Sequence, residues 1–318
     1  MFDFQEWVER LRGGDTRGLA RAITAVENRT PEALPLLKAL FPLTGKASIV
    51  GLTGAPGTGK STLVDQLARE YRKQNRSVGI IAVDPTSPYS GGAILGDRIR
   101  MQSHYADPGI YIRSMATRGA LGGLARTTAD VATVLDASGR DLVLIETVGV
   151  GQDEVDIVRL ADTTVVVLVP GMGDDVQTIK AGIMEVADVF VVNKCDREGA
   201  ERVESEIRAM QSVAARSDQW VPPIVKTVAS AGKGIAELVA AIAGYEQYLV
   251  QENLLVQKKT ENWRERLLEM LRDAVLQRLL REHIGDGAVG KYAAEIVARS
   301  RDPYSLVEEI VSRWETRE

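Results

Sequence analysis

The 318-residue chain contains one cysteine, Cys195, and two histidines, His104 and His283. A lone thiol excludes an internal disulfide and suits a reducing compartment. Neither histidine has metal-ligand company, so both read as surface or packing residues. Positive charge is not in excess: the formal net charge is −5, which gives no global electrostatic reason to expect nucleic acid. Long apolar runs are missing as well. Runs such as Val165 to Pro170 are far too short to cross a bilayer. The start, Met1-Phe2-Asp3-Phe4-Gln5-Glu6, lacks the basic residues and apolar stretch of a signal peptide. We therefore expect a soluble, cytoplasmic protein without a membrane partner. There is no internal repeat or low-complexity segment. The hydrophobic content of 45% is enough to fill an ordinary core, and the length suits one large α/β domain with helical additions or two domains.

Against these absences stands one strong signal. Residues 54–61 read Gly-Ala-Pro-Gly-Thr-Gly-Lys-Ser, between the apolar run Ser48-Ile49-Val50-Gly51-Leu52 and the amphipathic stretch Thr62-Leu63-Val64-Asp65-Gln66-Leu67-Ala68. This is the strand, glycine-rich turn and helix start of a P-loop. Glycines let successive backbone N–H groups curl around phosphate oxygens where side chains would collide. Gly54, Ala55, Pro56, Gly57, Thr58, Gly59 and Thr62 thus form the cradle, Lys60 is placed to reach the β- and γ-phosphates, and the Ser61 hydroxyl to join Mg²⁺ coordination. A nucleoside triphosphate is the expected ligand.

Residues 1–44 read as a helical extension. Phe4, Trp7, Val8 and Leu11 recur at helical spacing, Gly13-Gly14 breaks the pattern, Asp15 is an N-cap, and Thr30-Pro31 marks a third helix start. From Ala47 the pattern becomes short β-rich runs alternating with helical stretches. The runs are Ile49–Leu52, Val78–Val83, Ile110–Arg113, Leu142–Glu146, Thr164–Val169, Val189–Asn193 and Ile224–Val228. Near-continuous apolar strands between helices predict an α/β fold, a mainly parallel sheet covered on both faces, over residues 45–248. Residues 249–318 form a helical arm. In it Trp263, Leu267, Leu271, Val275 and Leu279 recur every four residues, edged by Arg264, Glu265, Arg272 and Arg278. Such a stripe packs on its own domain, on a second subunit or on nucleic acid. The second is favoured, because a long stripe outside the α/β unit needs a partner surface and acids are interleaved with the arginines.

Asn193-Lys194-Cys195-Asp196 follows a strand, where an Asn-Lys-x-Asp sequence reads guanine. Asp196 would accept from N1–H and the exocyclic amine, and adenine would leave that carboxylate unpaired. Cys195 holds the variable position as a packing residue. The loop Val228-Ala229-Ser230 offers backbone N–H groups to the guanine carbonyl, with Ala229 first, although Ser230-Ala231 also resembles the usual pair. Glu146-Thr147-Val148-Gly149 resembles the Asp-x-x-Gly element, with Glu146 toward Mg²⁺ and the Gly149 N–H toward the γ-phosphate. Asp84 and Asp97 are further metal-site acids. Mg²⁺ takes only one or two carboxylates directly, so some act through water. Asp84 before Pro85 equally suits a turn, and Asp97 a helix cap. Where Ras-like GTPases place a water-orienting glutamine there is Val150, and Gln152 lies two residues on. Arg113 and Arg118 can each neutralise phosphate charge, and each is also a common salt-bridge type.

Together GAPGTGKST (54–62), VDPTSP (83–88), GGAILGDR (91–98), RSMATRGALGG (113–123), ETVGVGQ (146–152), GDDVQTIKAG (173–182) and NKCD (193–196) stand in one order along the chain. This series resembles the MeaB-type GTPases, bacterial relatives of the human methylmalonic aciduria type A protein, within the SIMIBI class of P-loop proteins. The resemblance covers roughly residues 30–250. It implies a GTP- and Mg²⁺-dependent chaperone that gates adenosylcobalamin loading on an acyl-CoA mutase and protects that enzyme. It further implies a homodimer built through the C-terminal helices, Asp84, Asp97 and Glu146 as the magnesium-site acids, and a switch in 173–182 with Gln177 and Lys180 as its active members. Hydrolysis, with Lys60, Gln152 and Arg118 as catalytic candidates, is expected to be slow until the mutase orders the loops. Two rivals share the P-loop. A small-molecule kinase of the amino-acid transport type needs an acceptor pocket that the sequence does not display. A nickel metallochaperone GTPase needs clustered histidines and cysteines that this chain does not have.

Overall fold

In a computed structural model of the chain, the residues described are 4–84, 104, 106–116, 123–147, 160–171, 186–213, 216, 218–285 and 287–315. Seven strands form one sheet: β1 (Ser48–Thr53), β2 (Val78–Asp84), β3 (Ile110–Ala116), β4 (Leu142–Glu146), β5 (Thr163–Leu168), β6 (Val189–Asn193) and β7 (Ile224–Thr227). Their order is β3-β2-β4-β1-β5-β6-β7, and every neighbouring pair is parallel. The apolar runs in the sequence fall on these strands with small differences at their ends; the largest is β3, which continues past Arg113 to Ala116.

The central strands are apolar throughout because both faces are covered. In β4, Val143 and Ile145 pack with the N-terminal helices while Leu142 and Leu144 enter the opposite core. In β5, Val165 and Val167 point to that second core, and Val166 and Leu168 pack with Phe190, Val203 and Ile207. Period-two alternation thus distributes one strand between two layers.

Helices α1 (Phe4–Arg12), α2 (Thr16–Glu27) and α3 (Ala33–Leu40) complete the first layer. Trp7, Leu11, Ile23, Leu36 and Leu40 are buried in it beside Val131 and Leu135 of α5 (Gly123–Ala137). The Asp15 carboxylate caps α2, accepting from the N–H groups of Arg17 and Gly18 at 3.0 Å. The third helix starts at Ala33 rather than at Pro31. The Ala33 N–H donates to Thr30 O, so Pro31 and Glu32 form a turn ahead of it. The opposite layer holds α4 (Lys60–Lys73) and α7 (Ile235–Gln251), and α6 (Ala200–Val213) covers β5 and β6.

An acid stands immediately before each of β4, β5 and β6, and each reaches the neighbouring strand. Asp141 accepts from the Ser77 N–H at 2.7 Å, Asp162 from Ile49 at 2.9 Å, and Asp188 from Thr164 at 2.9 Å. Asp136 of α5 similarly accepts from the consecutive amides of Gly45, Lys46 and Ala47. The amino-terminal edge of the sheet is in this way closed by carboxylates.

The chain divides into two compact units, Met1–Lys259 and Thr260–Glu318. Helix α8 (Leu255–Leu279) runs through the boundary and ends in a π-helical turn, Leu280–Ile284, followed by α9 (Ala288–Val297) and α10 (Pro303–Glu315). Gly285 closes the first helical run. Within the second unit, Arg301 pairs with Glu309 and lies over the Tyr292 ring.

Candidate nucleotide site

In a parallel sheet the carboxyl ends of all strands share one edge, and the loops leaving that edge meet there. The turn after β1 is shaped by close backbone approaches. Gly54 has φ 144°, and a Cβ on it would sit 2.2 Å from the carbonyl oxygen of Val167 in β5. Gly59 has φ 93°, and a Cβ there would lie 2.5 Å from the Asn193 side-chain nitrogen. A side chain at either position would push the loop off its neighbours. Thr58 closes the turn by donating its hydroxyl to Ala55 O at 2.8 Å.

The Lys60 side chain, only 6% exposed, folds back across this loop. Its Nζ donates to Gly54 O at 2.6 Å and Ala55 O at 3.1 Å. Its ammonium therefore lies on the concave side of the loop, at the positive end of α4, where an anion is favoured.

Ser61, next in α4, donates its hydroxyl to Glu146 Oε1 at 2.6 Å. Glu146 ends β4 level with Leu52 of β1 and Ala82 of β2, so three strand ends converge beside the loop. Thr147 fixes the exit, donating its N–H to Leu52 O at 3.1 Å. A hydroxyl and a carboxylate, both buried, are hard oxygen donors of the kind Mg²⁺ takes. Asp84 is the last residue of β2, at the same edge, and is described by its backbone alone. Asp97, Arg118, Gly149, Gln152, Gln177 and Lys180 lie outside the described residues.

On the other side of the loop, Asn193 ends β6. Its Nδ2 donates to Thr58 O at 2.8 Å, while its Oδ1 accepts from Thr227 Oγ1 at 3.0 Å and the Ala229 N–H at 3.1 Å. One buried amide thus ties the glycine-rich turn to the loop after β7. Lys194, at φ 55°, donates Nζ to Gly57 O at 2.7 Å. Asp196 is exposed, its carboxylate open to a ligand. Val228 and Lys233 pair across the following turn, which holds Ser230 at the surface. The Ala229 N–H, expected to face a guanine carbonyl, is donated inward to Asn193. Ser230 is the first exposed residue of that turn.

Sequence reasoning missed this use of Asn193, because its partners lie far away in the chain. It also left Arg113 open as a phosphate ligand. The structure commits Arg113 elsewhere: its guanidinium pairs with Glu27 of α2 and reaches Thr24 Oγ1 at 3.3 Å, tying β3 to the N-terminal layer.

The chain matches the family described as methylmalonyl Co-A mutase-associated GTPase MeaB over residues 19–283. A Pyrococcus abyssi protein carrying the GTPase name is 48% identical over 309 residues, which covers 96% of this chain and 95% of that protein. The mitochondrial methylmalonic aciduria type A homolog of Mus musculus is 34% identical over 298 residues, covering 86% of this chain and 71% of that protein. Among solved structures, the crystal structure of a LAO/AO transport system kinase matches with a TM-score of 0.74 at 26% identity, covering 99% of each chain. With the family match spanning most of its length and agreeing with the fold, the chain belongs to the MeaB family of P-loop GTPases.

Proposed function

We propose that this protein hydrolyses GTP and uses the cycle to gate adenosylcobalamin loading and exchange on an acyl-CoA mutase, with methylmalonyl-CoA mutase the first client to test. The observation that carries this reading is the pairing of a lysine-capped phosphate loop with a base-side loop through Asn193, in a member of a family described by its mutase association. Lys60 exchanges its carbonyl partners for phosphate oxygens. The amides of residues 54–61 hold the phosphates, and Asp196 selects guanine over adenine. Ser61 and Glu146 would hold Mg²⁺, with Asp84 and Asp97 as further acids. When bound, the ion neutralises charge on the β- and γ-phosphates. Gln152 orients the attacking water, Arg118 offsets phosphate charge, and Gln177 and Lys180 relay the nucleotide state to the mutase.

The exposed apolar stripe of α8 supports a homodimer. Trp263, Leu267, Leu271 and Val275 are 42%, 54%, 51% and 41% exposed, an extent that a second copy would cover. Among the described residues no helix is long and apolar enough to cross a membrane.

The experiment is calorimetry with GDP, GTP and ATP, followed by phosphate release with and without the mutase and by transfer of adenosylcobalamin to apo-mutase. Guanine-selective binding with mutase-stimulated release is expected. Phosphorylation of an amino acid by GTP or ATP would favour the kinase reading, which the name of the structurally similar transport-system kinase keeps in view.

A further inference from the structure

His104, one of only two histidines, is 5% exposed and takes no part in the site described above. Its Nε2 lies 2.6 Å from Asp65 Oδ1, an ion-pair distance reached off the line of an ideal hydrogen bond. Asp65 belongs to α4, one turn beyond Ser61. Its other oxygen accepts from Arg69 Nε at 3.1 Å and Gln66 Nε2 at 3.3 Å.

Three residues after His104 a second contact repeats the arrangement. Asp107 accepts from Arg72 Nε at 2.9 Å and Nη2 at 3.0 Å. Asp65 and Arg72 are seven residues apart, hence on one face of α4. The stretch between the two contacts is tied internally by the Asp107 N–H donating to His104 O at 3.0 Å. It then passes directly into β3, since the Ile110 N–H donates to Asp107 O and Gly109 O accepts from Val78. The phosphate-binding helix is thus braced along its outer side by two ionic contacts anchored in the sheet.

The two contacts differ in one respect. Arginine is charged at every accessible pH, so Arg72–Asp107 is permanent. Histidine carries a full charge only in its protonated form. Among the described residues, the charged groups beside His104 are Asp65, which also pairs with Arg69, and Asp107, which pairs with Arg72. Arg72 holds the Asp107 carboxyl below its ordinary value, and His104 adds to that effect.

We propose that His104 is a positioning residue for nucleotide retention: docked on Asp65, it steadies the first turns of α4, and its protonation tightens that hold on Lys60 and Ser61. The proposal rests on the reading of α4 as the phosphate-binding helix. It adds a pH dependence of nucleotide release that the loop motifs alone do not require.

The test is the dissociation rate of a fluorescent GDP analogue from the full chain in the presence of Mg²⁺, measured from about pH 6 to about pH 8. The wild-type rate should rise about two- to fivefold across that range, the size of a partly screened ion pair. His104→Gln should release the analogue at one pH-independent rate, matching the wild-type high-pH value. Asp65→Asn should flatten the profile from the other side and serves if the histidine variant does not fold. A wild-type slope retained in either folded variant overturns the proposal, as does a flat wild-type profile. Failure of the wild-type protein to bind GDP at any pH instead overturns the nucleotide reading beneath it.

Discussion

At the carboxyl edge of the sheet polar side chains rest on loop carbonyls and on one another, whereas at the amino edge they hold strand backbones. Lys60 rests on two loop carbonyls, Lys194 on a third, and Ser61 on Glu146. Each of these donors could take a ligand oxygen instead, leaving its former acceptor to water or a cation. At the opposite edge Asp188 is 2% exposed. It receives a strand N–H, Arg216 Nη2 at 3.1 Å and Lys258 Nζ at 2.8 Å. Lys258 is itself placed over the Tyr245 ring and against its hydroxyl. Nothing there can leave without stranding a buried charge. The same residue types therefore make exchangeable contacts at one edge and fixed ones at the other.

Substitutions that affect one edge and spare the other put this contrast to the test. The largest effect is expected for Lys60→Ala. Loss of the ammonium folded across the glycine-rich loop should lower GTP turnover by about 10²-fold or more. Thermal stability should change far less, since the loop carbonyls it leaves can be satisfied by water. Phosphate release and a melting curve decide it; near-normal turnover would remove Lys60 from the site. At the other edge, Asp188→Ala leaves Arg216 and Lys258 short of an acceptor and should cost about 3 kcal/mol in denaturant unfolding. GDP affinity in the folded fraction should stay within about twofold, as expected of a distant, uncoupled position. A large loss of affinity without loss of stability would dissolve the distinction between the edges.

The base side gives a smaller and more selective effect. Asp196 is exposed and takes no part in the core, so Asp196→Asn should leave folding intact. Its preference for GTP over ATP should fall by about 10- to 100-fold, the worth of hydrogen bonds to a charged acceptor. Competition binding of the two nucleotides measures this directly. Unchanged discrimination would place guanine recognition elsewhere, with the exposed turn at Ser230 the next position to examine.

Much of the fold was legible because its signals are local. Val165 to Leu168 is apolar at every position, which only a strand covered on both faces tolerates, and Asp15 announces a helix with the residues beside it. The phosphate loop was legible for the same reason: its glycines, lysine and serine are contiguous. What escaped was long-range. Asn193 joins Thr58 to Ala229, and Arg113 finds Glu27, across spans that no window of sequence connects. The acids before β4, β5 and β6 are adjacent to legible strands, yet their partners belong to the neighbouring strand, and strand order is a property of the folded sheet. Which amide of the loop at 228–230 faces outward likewise depended on where the Asn193 side chain went.

Within the amino edge itself the acids are not equivalent, and pH separates them. The backbone and hydroxyl of Ser77 hold the Asp141 carboxyl below its ordinary 3.8. Burial pushes Asp162 the other way, against the pull of Lys259 and the Ile49 amide. The signs follow from linkage. A lowered carboxyl contributes stability that is complete above 3.8 and fades as pH falls through its folded value. A raised one is held ionised at a cost, and that cost disappears as pH falls through its folded value. Asp141→Asn should therefore destabilise by about 0.5 kcal/mol near neutrality, after discounting for solvent at an exposed site, and the deficit should vanish in acid. Asp162→Asn should show the reverse trend, its stability relative to wild type being most favourable near neutrality and declining toward acid. Melting temperatures of both variants across acid pH measure the two slopes. Parallel slopes would mean that the strand amides, rather than burial, govern both carboxylates.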